Sequence, residues 1–388
     1  MSIQRITRDS DKDTLFFELN LAGGESWEER IADPSEVFLK EIASAFDTNP
    51  KSIVIGARVS DGPVSADPLA LAAREMVRGV AGSAALEFAD IGCRVNTVLS
   101  TSETGDSQIR AVKDYFSSDE DAGFTTGATI DLTGPGITPP KPSETLALVT
   151  GGAGGLGRAA AERLHAEGYQ VVISDLPGEQ LDKAAQEIGI EAIGANLSEP
   201  ADVEKVRTHP SLDGLNALFL HHGVGASSRL DSNYDAAAGH RSVVVNGTSV
   251  WSTFNHLRPV LERTGNATVV MLSSVAGLQA EPGNGAYGAA KFAVVGFVKG
   301  NFERLASAGI RLHALCPGPI DTPLMRSVFA GFARDLGVTP EEFTAERLGG
   351  IPLKRAGEPR HIGAAAYLLA RVASPGVVLA PTGGEVLT

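Results

Sequence analysis

Residues 145–157 read TLALVTGGAGGLG. The first five form a short apolar run, the pattern of a strand buried on both faces. The next eight, TGGAGGLG, follow without a break and place Gly151, Gly155 and Gly157 at the spacing T-G-x-x-x-G-x-G. Glycine lets a backbone turn tightly and approach a pyrophosphate. A helix that starts there aims its first N–H groups and its positive dipole end at the phosphate. A glycine-rich loop alone is a weak signal; its position between a strand and a helix gives it weight. Asp175 closes the next apolar run, in VVISDLP. An acid at that point accepts hydrogen bonds from ribose hydroxyls and repels a 2′-phosphate, and it can also cap a helix. With no Lys or Arg inside the loop, the pattern favours NAD(H) over NADP(H).

Outward from this loop, strand and helix patterns alternate. Helices are expected over 156–167, 178–187 and 199–207, after about 236, over 287–305, within 322–348 and after 358. Strands are expected over 169–174, 191–195, 217–221, 267–272 and 311–315, with a last short one near the end. That alternation means a doubly wound parallel α/β sheet of the Rossmann type.

One constellation carries chemistry. Ser273 and Ser274 follow a strand, and Tyr287-Gly-Ala-Ala-Lys291 comes 13 residues after Ser274. Tyr287 and Lys291, at i and i+4, share one helix face. A phenol, with a pKa near 10, is a poor base at neutral pH. A neighbouring ammonium, together with a positive nicotinamide ring, favours the phenolate and lowers that value. Tyr287 could then give a proton to a carbonyl oxygen or remove it in reverse. Ser274 would hydrogen-bond the same oxygen.

With these motifs in hand, residues 144–388 resemble a short-chain dehydrogenase/reductase of the classical type. The resemblance implies that Ser274 binds the substrate oxygen and Tyr287 is the acid/base. It implies that Lys291 lowers the Tyr287 pKa and holds the nicotinamide ribose. Asn246, in VVVNGTS, matches the helix Asn whose main chain holds a relay water. In the same way Gly151, Gly154, Gly155, Leu156 and Gly157 would contact the pyrophosphate, and Asp175 with Leu176 the ribose. Asn196 and Leu197 would meet the adenine, His222 and Gly223 would also contact the cofactor, and Pro317, Gly318, Ile320 and Thr322 would hold the carboxamide. There is a departure: the family's N-N-A-G reads His221-His222-Gly223-Val224 here. With no Cys or acidic cluster near, the two histidines read as a satisfied structural pair and no metal site is expected. Leu324, Met325, Phe329 and Phe332 make the lid region apolar, which suits a bulky or apolar substrate.

The stretch 134–143, GPGITPPKPS, is dominated by Pro and Gly and reads as a linker over 135–143. Residues 1–134 contain neither the glycine loop nor Y-x-x-x-K. They nevertheless parallel the later half of the second part, with Ala70 at the Tyr287 position, Arg74 at the Lys291 position and Arg58 near that of Ser274. GATIDLTG, at 127–134, resembles the family's last strand. This reads as a smaller, incomplete Rossmann-like domain, a degenerate and non-catalytic half-copy. The elements it keeps are those the family uses between subunits. One chain would then be a pseudo-dimer, and a homodimer would imitate the family's tetramer through the apolar faces of 37–46 and 76–88.

The 388 residues suit two domains. A net charge of −14 argues against nucleic acid or an anionic membrane as partner. Cys93 and Cys316 fall in separate parts and inside apolar runs, so they read as core residues of a reducing compartment. The first residues have no hydrophobic signal core, and the expectation is a soluble, cytoplasmic protein. The leading function is an NAD(H)-dependent alcohol dehydrogenase or ketoreductase acting on a small alcohol or carbonyl compound. The alternatives are a 3-oxoacyl-thioester reductase and, from another class, a non-catalytic NAD-binding scaffold or sensor.

Overall fold

A computed structural model of the chain describes residues 3–388 apart from 10, 24, 25, 27, 62–66, 68, 135, 226–229 and 231–233. Pro135, at the head of the expected linker, lies outside the described residues. The first part is a five-stranded sheet in sequential order: β1 (Ile3–Asp9), β2 (Thr14–Asn20), β3 (Ser52–Ser60), β4 (Arg94–Thr101) and β5 (Thr129–Asp131). Only β1 runs antiparallel to its neighbour. The crossovers carry α1 (Asp33–Phe46), α2 (Ala70–Phe88), α3 (Asp106–Ser117) and the single turn α4 (Asp119–Ala122).

The second part is a seven-stranded, wholly parallel sheet. Its strands are β6 (Leu146–Thr150), β7 (Gln170–Asp175), β8 (Glu191–Gly194), β9 (Ala217–Leu220), β10 (Ala267–Leu272), β11 (Ile310–Leu315) and β12 (Val378–Leu379). Its helices are α5 (Gly155–Ala166), α6 (Glu179–Ile188), α7 (Pro200–Arg207), α8 (Ala236–Val243), α9 (Ser249–Thr264), α10 (Gly285–Ala306), α11 (Pro323–Leu336), α12 (Pro340–Gly349) and α13 (Pro359–Arg371). The order β12-β11-β10-β9-β6-β7-β8 reverses direction between β6 and β9. Such a switch opens a crevice beyond the carboxyl ends of the strands, where ligands bind. Every residue of β9, β10 and β11 is buried, because helices cover both faces.

The strands β2-β3-β4-β5, with α1, α2 and α3 between them, follow the same order as β9-β10-β11-β12 with their crossovers. Arg74, on α2, is tied to Asp131 at 2.9 Å. Cys93 and Cys316 are both buried and free.

The two parts share a core. Val112, Tyr115, Phe116 and Phe124 pack in one continuous cluster with Leu164 of α5 and Ala365, Leu368 and Leu369 of α13. The edge strands β5 and β12 lie side by side. Arg163 meets Asp121 at 2.5 Å, Arg355 donates to the Gly123 carbonyl, and the Ala373 amide donates to Gln108 at 2.8 Å. Each large apolar side chain buried here stabilises the joint by roughly 1.5–3 kcal/mol. No helix among the described residues is long and apolar enough to cross a membrane.

Candidate active site

At the switch point lies a cavity of about 730 Å3. Its floor is the glycine loop. Gly151 turns with φ +70°, and a Cβ there would stand 2.8 Å from the His222 backbone. Gly157 packs so closely on the loop that a Cβ would be 2.2 Å from the Gly151 carbonyl oxygen. Side chains are thus excluded where a phosphate needs bare backbone. Gly154, Gly155 and Leu156 line the same floor at the start of α5. The nearby Arg158 is engaged by Glu162 and Glu187, both at 2.8 Å.

Asp175 ends β7 at the cavity rim beside Leu176. Its carboxylate accepts from the Leu176 amide at 2.8 Å and from the Ala153 amide at 3.0 Å. The acid therefore braces the glycine loop as well as facing the cleft. Asn196 and Leu197 follow β8 on the same wall; the Asn196 amide donates to Asp202, and its side-chain oxygen accepts from the Ser198 amide.

His222 sits where the family pattern has Asn. Its Nδ1 is 2.7 Å from the Thr150 hydroxyl and its Nε2 is 2.9 Å from that of Ser249. Because Ser249 gives its own proton to the Val245 carbonyl, Nε2 carries the hydrogen. Burial pulls the imidazole down to about 3, so it stays neutral. It clamps the strand end before the glycine loop to the start of α9. Of the histidine pair, His222 is thus the satisfied member, while His221 is buried edge-on to Phe219. No cluster of three metal-ligating side chains exists among the described residues.

Gly223 leaves room for Asn246, since a Cβ there would lie 2.7 Å from the Asn246 Oδ1. Asn246 accepts from the Val224 amide at 3.1 Å and donates to the carbonyls of Val224 and Ser242, each at 3.0 Å. It lies within a wide turn, Val244–Thr248, of the kind that interrupts helices at functional sites.

Ser274 follows β10, and its hydroxyl accepts from the Ala276 amide at 3.2 Å. Tyr287 is in the first turn of α10 and lines the same cavity as Ser274. Lys291, one turn on, is buried and donates from Nζ to the Leu272 carbonyl at 3.0 Å. The Ser273 hydroxyl fastens the same turn through the Lys291 carbonyl at 2.9 Å. Burial pushes the Tyr287 phenol up, with only the Ser274 hydroxyl pulling it down. Lys291 stands 5.6 Å from the centre of the ring and is itself drawn down to about 8 by burial. Among the groups present, burial is the largest influence on the phenol.

Pro317, Gly318, Ile320 and Thr322 run along the roof. Gly318 lies so close to Thr382 that a Cβ would be 2.9 Å away, and Thr322 caps α11 through the Met325 amide at 3.1 Å. The lid brings Leu324, Met325, Phe329 and Phe332 over the cleft, with Phe343 of α12 stacked on Phe332 at 5.7 Å. Every residue named from the sequence for this site lines the one cavity. The sequence reading missed Glu281, Asn284, Phe343 and Arg347 at its far end. Of these only Asn284 carried a local signal, an Asn just before a helix.

A family model described as short chain dehydrogenase matches residues 145–331. Oxidoreductase UcpA of Salmonella typhimurium is 30% identical over 234 residues, which is 58% of this chain and 86% of that protein. Levodione reductase of Leifsonia aquatica is 28% identical over 242 residues, 60% of this chain and 90% of the relative. A crystal structure of levodione reductase superposes with a TM-score of 0.59 at 26% identity, covering 63% of this chain and 98% of that one. A variant of actinorhodin polyketide ketoreductase solved with NADPH gives 0.58 at 26% identity and the same coverage.

Proposed function

Because the chain belongs to the short-chain dehydrogenase family, we propose that it interconverts an alcohol and a ketone by hydride transfer, using NAD(H) and Tyr287 as the acid/base. The observation that carries this reading is the convergence of Ser274, Tyr287 and Lys291 on one cavity with the glycine loop. The loop fits a dinucleotide, because its bare backbone leaves the start of α5 open to a pyrophosphate. Asp175 supports NAD(H): it sets a negative charge at the ribose end, and Arg158, in the first turn of α5, is held by two acids. When bound, the nicotinamide supplies or accepts the hydride. Ser274 orients the substrate oxygen and Tyr287 passes it a proton. Lys291 has two N–H donors left for the ribose, and Asn246 keeps the wide turn in place. Leu324, Met325, Phe329 and Phe332 favour an apolar or bulky substrate.

The test is NADH consumption over a panel of ketones and 3-oxoacyl thioesters, with Tyr287→Phe as control. Turnover should fall by roughly 10²–10⁴-fold in the variant, with NADH binding retained. Full activity in Tyr287→Phe would sink the mechanism. Binding of NADH without turnover by either protein would favour a scaffold or sensor.

We also propose that chains pair. Val37, Leu39 and Phe46 on α1 and Leu86 on α2 are exposed, as are Trp251, at 51%, and Phe292 on α9 and α10. Two chains joined through these faces would imitate a tetramer, while β5, β12 and α13 already join the two parts within one chain. Light scattering should give twice the 40.3 kDa chain mass; a strict monomer would count against it.

A further inference from the structure

The far end of the cavity is built on a cluster that reaches back to the first part. Arg347, on α12 of the lid, is shared by two carboxylates: its Nη2 lies 3.0 Å from Glu281 and 2.6 Å from Glu385. Gln279 donates to the same Glu385 oxygen at 3.1 Å. The Glu385 side chain is only 11% exposed. Solvent and salt therefore screen this contact less than a surface pair, and charge-assisted bonds keep more of their strength.

Each end of the cluster leads elsewhere. Glu281 accepts from the Asn284 side chain at 2.7 Å, and Asn284 is the residue from which the Tyr287 helix starts. Glu385 belongs to the tail after β12, and that tail is seated on the first part. The Gly383 amide donates to the Phe124 carbonyl at 2.9 Å, and the Thr388 amide to the Gly127 carbonyl at 3.1 Å. The Leu387 side chain, 39% exposed, rests on Gly82 and Gly127, where added Cβ atoms would lie 3.0 and 2.2 Å from it.

We propose that Glu385 is a positioning residue through which the first part of the chain fixes the substrate lid. The tail carries Glu385 from the first part to Arg347. Arg347 in turn holds α12 against the loop that opens the catalytic helix. The cluster sets the substrate end of the cavity and leaves the glycine loop alone. Its kinetic consequence rests on the oxidoreductase reading; the mechanical coupling does not.

The test uses the full chain and two readouts: amide hydrogen exchange of residues 340–349, and steady-state kinetics on the best ketone of the panel. The variants are Glu385→Gln, Glu385→Ala and Leu387→Asp, the last of which touches neither lid nor cavity and loosens only the seat of the tail. All three should raise exchange in 340–349 by roughly tenfold. They should raise KM for the ketone by about 3–10-fold, with kcat and NADH affinity nearly unchanged. Wild-type lid exchange in Leu387→Asp would overturn the proposal. So would lower NADH affinity or melting temperature with an unmoved lid, since that gives Glu385 a merely structural role. If the wild-type chain turns over no ketone, the oxidoreductase reading fails, while lid exchange still decides the coupling.

Discussion

Phe124 belongs to the first part, yet its ring is fully buried against the second. Cβ atoms added at Gly357 and Gly383 would stand 2.4 and 2.6 Å from it, and the Arg355 guanidinium lies 5.7 Å from its centre. Gly357 donates to the Pro319 carbonyl at 2.9 Å and accepts from the Asp321 amide at 2.8 Å, so it backs the roof residue Ile320. Phe124→Ala empties this joint. Losing a buried Phe costs about 3–5 kcal/mol, and losing its cation–π contact about 0.5–1 kcal/mol more. At ~2 cal/mol/K of unfolding entropy per residue, a 388-residue cooperative unit loses about 5 °C for ~4 kcal/mol. Calorimetry of the full chain should give one transition displaced by that amount, and NADH should bind more weakly to the same sample. Two transitions, with the one for the second part unmoved, would refute the shared core. Phe17→Ala is the control: its ring packs on Phe38 at 6.3 Å in the separate core of the first part. It should destabilise without changing NADH affinity.

Other outcomes follow from the same geometry. Gly157→Ala forces a Cβ onto the Gly151 carbonyl; overpacking of about 1–3 kcal/mol should weaken NADH binding roughly 10–100-fold in a fluorescence titration. An unchanged affinity would mean that the loop is not the pyrophosphate seat. Asp175→Ser removes a charge that opposes a 2′-phosphate, so the ratio of kcat/KM for NADPH to that for NADH should rise about 10-fold, and a constant ratio would remove Asp175 from cofactor selection. Burial draws His221 down to about 4 and His222 and His313 to about 3. Unfolded, each titrates near 6.5. Between those values the unfolded chain binds more protons, so stability falls as pH drops from about 6.5 toward 4, by up to ~1.4 kcal/mol per pH unit for each histidine. Urea midpoints across that range should show it, and His313→Leu should flatten the slope; an identical slope would place the acid sensitivity elsewhere.

Much of the second part could be read directly. Strands covered on both faces are continuous apolar runs, and β10 begins and ends at the expected residues. The glycine loop and the Tyr287–Lys291 pair obey short-range spacing, which sequence displays. Three features escaped. The lid, expected as one helical stretch over 322–348, is two helices, because Gly337 turns with φ +72° and Pro340 starts anew. The antiparallel edge strand β1 was not anticipated: its IQRITRD mixes charges with apolar residues. The Arg347 cluster joins residues 66 and 38 positions apart, and no local pattern marks such a meeting. The burial of Lys291 was not legible either. Helical spacing says which side chains are neighbours but not how deeply they are buried.

The shared core also bears on how the protein is made. The apolar face formed by Tyr115, Phe116 and Phe124 is completed by α13, and the Gly123 carbonyl bonds to an arginine 232 residues later in the chain. At ribosomal speeds of about 5–20 residues per second, that face waits roughly 10–50 s for its cover. The first part leaves the ribosome with an exposed oily surface and no partner of its own. A newborn chain is then open to chaperones, or to the α13 of a neighbouring nascent chain, until its own last helix arrives.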